Sequence, residues 1–132
     1  MDIKEFLNKG DIFAANAGAQ LTAVGDGFAR AVMPVTPDHL NAGGVCQGGA
    51  IFTLADLALA AVMNSHETLT FSLQSNIVFL QSAKEGDVLT AEATETYDHH
   101  KIPYIEVKVK NQHGQLVCAF SAIAYRTKQE IE

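Results

Sequence analysis

The stretch from Ala50 to Met63, AIFTLADLALAAVM, is apolar except for Thr53 and Asp56, and it restricts the folds open to this chain more than any other feature. Ala, Leu and Met are strong helix formers, and the run through Ser65 reads as one helix. It is apolar nearly all round, so the rest of the chain must enclose it on most sides. Spanning a bilayer takes about 20 apolar residues, so a shorter segment carrying a central carboxylate belongs in a protein core.

The enclosing material is strand-like. Gln20 to Val24 and Phe28 to Pro34 flank a Gly25-Asp26-Gly27 turn and read as a hairpin. After the helix, Thr70 to Leu80, Asp87 to Tyr97, Tyr104 to Asn111 and Leu116 to Arg126 return to strand chemistry. Alternation is plain where Ile105, Val107 and Val109 interleave with Glu106, Lys108 and Lys110. Ile3 to Leu7 and Ile12 to Asn16 suggest short helical turns ahead of the first strand. Thr36 to Gly49, rich in Gly, Asn and Pro, reads as a loop. One helix and one sheet must bury each other, which predicts an α+β domain over residues 1–132, with a curved antiparallel sheet wrapped around one long central helix. Such a sheet keeps edge strands free to pair with a second copy.

Composition narrows the function classes. With 132 residues, 48% of them hydrophobic, the chain suits one compact domain. A net charge of −6 and no clustered Lys or Arg argue against nucleic-acid binding. The N-terminus lacks the pattern of a signal peptide, and the two cysteines, Cys46 and Cys118, form no CxxC pair. The expectation is a cytoplasmic protein with free thiols and no membrane segment.

Asp56 is the residue out of place. Its helical neighbours Phe52, Thr53, Leu59 and Ala60 carry no charge, and desolvation raises a carboxyl pKa toward the range useful to a general base. A local surfacing of the helix, or a satisfied structural carboxylate, would account for the same pattern. Gly48-Gly49 stands at the helix entrance, where unpartnered N–H groups and the positive end of the helix dipole suit a developing oxyanion. A plain turn is the alternative there. Gly48 and Asp56 are roughly 12 Å apart at the helical rise, so both can serve one substrate carbonyl only across a subunit boundary.

The stretch His39 to Ala60, HLNAGGVCQGGAIFTLADLALA, resembles the PaaI-like, phenylacetate-degradation branch of the hotdog-fold thioesterases. Asn41, Gly44, Gly48, Gly49 and Asp56 stand at the positions of that family's motif. The resemblance implies a hotdog fold and hydrolysis of an acyl- or aryl-CoA thioester. Asp56 would be general base or nucleophile, and the Gly49 N–H with its neighbours, Gly48 and Gly44 among them, would bind and polarise the carbonyl. Asn41 would position water or carbonyl, and Ser72 would orient the nucleophile. It further implies a homodimer at least, or a dimer of dimers forming a homotetramer, and no cofactor beyond the coenzyme A of the substrate. One position departs from the pattern: Gln47 replaces the usual His before Gly-Gly. Its amide can donate a hydrogen bond but cannot shuttle a proton.

Other readings are less well supported by residue type. Cys46 lacks an activating base. The histidines at 39, 66, 99, 100 and 113 show no metal-ligand spacing. Lys84, Lys101, Arg126 and Lys128 are the cations available to the phosphates of coenzyme A. A non-catalytic acyl-CoA-binding module and a 3-hydroxyacyl thioester dehydratase are the alternatives on the same fold. The missing His at position 47 weakens the second.

Overall fold

The computed structural model describes residues 2–131. Its elements are α1 (Ile3–Gly10), α2 (Ile12–Asn16), β1 (Gln20–Gly25), β2 (Phe28–Pro34), α3 (Gly48–Met63), β3 (Thr68–Phe79), β4 (Val88–Tyr97), β5 (Tyr104–Lys110) and β6 (Leu116–Glu130). A short 3-10 turn, Pro37–His39, lies in the loop before α3. The strands form one antiparallel sheet in the order β1-β2-β4-β5-β6-β3, which curves around α3 as the sequence pattern requires.

The inner face of the sheet carries small residues. Ala29, Ala31, Ala91, Ala93, Ala122 and Ala124 are buried there, and α3 answers with Ala55, Ala58 and Ala61. Small side chains on both surfaces let the helix seat closely on the sheet, while Leu54, Leu57 and Leu59, all fully buried, fill the gaps. Each such leucine contributes about 1.5–3 kcal/mol of apolar burial. In β5 the alternation is complete, with Ile105, Val107 and Val109 buried and Glu106, Lys108 and Lys110 exposed.

The boundaries shift where long-range pairing overrides local preference. Helix α3 starts at Gly48 rather than Ala50, because the Gln47 side chain caps it. Strand β6 continues past Arg126 to Glu130, because β3 begins at Thr68 and offers a partner, Thr68 opposite Glu130.

The two sheet edges are treated differently. At β1 the Asn8 side chain of α1 acts as a surrogate strand: its Nδ2 donates to the Leu21 carbonyl at 3.1 Å, and its Oδ1 accepts from the Leu21 N–H at 2.8 Å. No such device covers β3, where Phe71, Leu73, Val78 and Phe79 are all exposed. An uncovered apolar edge of this kind favours pairing with another strand. No helix among the described residues is long and apolar enough to cross a membrane.

Candidate active site

The loop into α3 is built by its own polar side chains. Asn41 Oδ1 accepts from the Gly43 N–H at 2.9 Å and the Val45 N–H at 3.2 Å, closing a tight turn in which Gly44 takes φ +81°. A left-handed backbone of that kind suits glycine. Cys46 N–H donates to the Ala83 carbonyl and Gln47 N–H to the His39 carbonyl, both at 2.8 Å, which pins the loop to the body. The Asn41 and Gly44 of the motif therefore first build the turn that aims the helix start.

At that start Gln47 Oε1 accepts from the Gly49 N–H at 2.8 Å. This contact fixes the side-chain orientation, since only the oxygen can face an N–H donor. The sequence expectation put the Gly49 N–H on the substrate carbonyl, whereas here Gln47 holds it. Of the N–H groups at the start of α3, that of Gly48 has no protein acceptor among the described residues, and the Nε2 of Gln47 stands on the same side chain that holds Gly49. Gly48 also has a steric duty, because a Cβ there would lie 2.9 Å from the Phe79 ring. Beside this helix end lies an open hollow lined by Val45, Cys46, Gly48, Ile51 and residues 79–82.

Asp56 opens on a different space. Together with Ser72 it lines a chamber of about 340 Å³ whose other walls are mostly apolar and come from α1, α3, β3 and Ile131. The Asp56 carboxylate has no hydrogen-bond or ion-pair partner among the described residues. Burial raises its pKa, and the negative charge of Asp11 adds to the shift. Asp11 is the N-cap of α2, accepting from the Ala14 N–H at 3.0 Å. No local pattern in the sequence links it to Asp56. The register of β3 against β6 slips between Ser72 and Gln74, and a bulge of this kind redirects a side chain beside a site. The fold thus unites Asp56 with Ser72 in one hollow and gathers Gln47 and Gly48 at another.

Several candidates are placed elsewhere. Burial raises the Cys46 thiol, opposing a nucleophilic role. Arg126, one of the cations considered for phosphate binding, is instead committed to Asp98 at 2.9 Å and Glu95 at 3.2 Å, with 14% of its side chain exposed. Lys84, Lys101 and Lys128 are exposed. His39 is structural: one ring nitrogen lies 2.6 Å from the Ala17 carbonyl, and the other accepts from the Thr36 N–H. The sequence shows no ligand spacing for histidine, yet the fold brings His66, Glu95 and Asp98 within 4.8 Å of one another. Their oxygens are engaged by Arg126 and by the imidazole itself, and none of the three lines either hollow.

The sequence and the curved sheet around a single helix have known counterparts. The thioesterase superfamily model matches residues 43–118, which include the helix, β3, β4 and β5. The chain belongs to the thioesterase superfamily. Among its superfamily relatives, a protein of Archaeoglobus fulgidus carried under an esterase name is 34% identical over 128 residues, covering 97% of this chain and 83% of its own. The acyl-coenzyme A thioesterase PaaI of Escherichia coli is 30% identical over 120 residues, covering 91% and 86%. The solved E. coli PaaI structure superimposes with a TM-score of 0.93, covering 97% of this chain and 93% of that one at 29% identity. A thioesterase protein of Streptococcus pneumoniae solved with coenzyme A gives 0.85 at 28% identity, covering 93% and 98%. The sheet and helix described above are accordingly the hotdog fold of this superfamily.

Proposed function

We propose that this protein hydrolyses acyl-CoA thioesters at a site shared between two copies. The observation that carries the reading is Asp56, a desolvated carboxylate with no protein partner at the wall of an apolar chamber. Such a group is held ready to take a proton from water or to attack a carbonyl carbon. The C–S bond breaks as the acyl–oxygen bond forms, and the thiolate of coenzyme A leaves with a proton. In this reading the Gly48 N–H and the Gln47 Nε2 donate to the carbonyl oxygen, Ser72 shares the chamber with the carboxylate, and no cofactor takes part in the scheme. The PaaI relative and the coenzyme A in the pneumococcal structure support this choice of substrate.

Two copies are needed because the carbonyl donors and Asp56 of one chain stand about 12 Å apart along α3. Strand β3 lies beside both places, with Ser72 at the Asp56 chamber and Phe79 at the Gly48 hollow. Antiparallel pairing of two β3 edges about a two-fold axis near the middle of the strand runs the Ser72 end of one copy alongside the Phe79 end of the other. Each half-site then meets its complement, giving two sites per dimer. Further pairing of dimers into a tetramer is compatible with this arrangement.

The direct test is thiol release from a panel of short, medium, long and aromatic acyl-CoAs. Release that requires Asp56 supports the proposal, while tight binding without release would assign the protein to acyl-CoA sensing. Reversible loss of water from a 3-hydroxyacyl-CoA would instead mark a dehydratase.

Two variants probe the site further. Gln47→Glu keeps an oxygen for the Gly49 N–H and places negative charge favourably at a helix N-terminus, but removes the Nε2 donor. Turnover is expected to fall about tenfold with no loss of melting temperature, as judged by steady-state kinetics and thermal unfolding. In Asp11→Asn the cap survives, since Asn caps as well as Asp, while the charge that helps raise the Asp56 pKa is lost. An ionised Asp56 is the active form, so activity falls as pH drops through its raised pKa. The acid limb of the pH–rate profile should therefore move to lower pH in Asp11→Asn, and an unmoved limb would show that Asp11 does not act on the catalytic carboxyl.

A further inference from the structure

The polar side-chain groups that the chamber leaves open to an occupant lie beside Asp56. Of the chamber's polar lining residues, Asn64 donates to the Ala60 carbonyl at 2.8 Å and accepts from the Thr70 N–H at 3.0 Å, and the Thr70 hydroxyl donates to the Thr68 carbonyl at 2.8 Å. Asp56 and Ser72 alone bring side-chain polar groups without protein partners among the described residues. Everything beyond them calls for an apolar occupant. Helix α3 turns Asp56, Ala60 and Met63 to this space, at spacings of four and three that share one face. From Asp56 to Met63 the helix rises roughly 10 Å. Midway stands Ala60, whose single methyl leaves the passage open.

The opposite wall is α1, through Ile3, Phe6 and Leu7. It is held on the body by the paired hydrogen bonds of Asn8 to Leu21 and by the buried Ile3. A chamber of about 340 Å³ is well above the ~150 Å³ that accommodates benzene, so an acetyl group would leave most of it unfilled. Resting on the thioesterase reading above, we infer that this chamber is the acyl subsite, that it takes an apolar acyl group about 10 Å long, and that Ala60 and Phe6 determine the length accepted. Ala60 controls depth by its smallness. Phe6, half exposed on α1, supplies a side wall against which the methylenes lose their water.

The test separates this subsite from the chemistry by using thioether analogues of acyl-CoA, which bind without being cleaved. Affinity is measured calorimetrically against a series of saturated chains of increasing length, for wild type, Ala60→Leu and Phe6→Ala. In wild type each added methylene should tighten binding about fourfold until the chamber is full. Ala60→Leu should bring that plateau to shorter chains while leaving the shortest analogue unaffected. Phe6→Ala, on an exposed face where folding is not at risk, should reduce the gain per methylene. Identical length profiles in the three proteins would overturn the assignment even if wild type cleaves acyl-CoAs. A shifted profile in a protein that releases no thiol would keep the subsite and refute the hydrolase.

Discussion

Asp56→Asn is expected to lower thiol release by at least about a hundredfold while raising the melting temperature. The loss follows from chemistry, since an amide neither accepts a proton from water nor attacks a thioester. The gain follows from linkage. Burial raises the folded-state pKa of Asp56 above its ordinary value, so this carboxyl favours the folded state fully only below that ordinary value. That contribution is lost as pH rises through the raised folded value, and at neutral pH an unpartnered ionised group remains half-buried. A neutral amide of the same shape removes that burden, with an expected rise of about 2–5 °C. Thermal unfolding and thiol release on the same preparation check both halves. Near-normal turnover would remove Asp56 from the reaction, and a lower melting temperature would make it a structural group.

The second large effect concerns residues distant from any proposed chemistry. Leu73 and Val78 lie along the β3 edge that this pairing uses, and both are exposed in the single chain, at 60% and 45%. Replacing both with lysine gathers four like charges along the paired edges of a dimer. The double variant should fold as a monomer, because neither side chain contributes to the core, and should lose about a hundredfold or more in turnover as Asp56 parts from the donors on the other copy. Sedimentation and thiol release decide the matter together. A fully active monomer would show that one chain suffices; an inactive dimer would place the fault in the pairing geometry.

The order of elements was legible in the residues because hydrophobic periodicity is a local property. The Ala50–Met63 run could only be an enclosed helix, and β5 alternates so regularly that its inward face is evident from Ile105, Val107 and Val109. The ends of elements were less legible. Gly48 and Gly49 are poor helix formers, and only the reach of the Gln47 side chain to the Gly49 N–H draws them into α3. Likewise Lys128, Gln129 and Glu130 have little strand character and extend β6 because β3 lies alongside.

At the site the division is sharper. By itself the sequence determined that one carboxylate would sit in an apolar helix, that a glycine pair would open that helix, and that the two would stand too far apart along one chain to share a carbonyl. Spacing along a helix is arithmetic on residue numbers, and it holds whatever packs around it. Only the tertiary structure decided what each group faces. It set Ser72 and α1 around Asp56, brought in the charge of Asp11, and turned Gln47 onto Gly49 so that Gly48 keeps the free N–H. It also spent Arg126 on Glu95 and Asp98. These outcomes depend on contacts between residues far apart in the chain, where burial and hydrogen-bond competition, rather than local preference, determine which polar groups are satisfied and which remain available for a substrate.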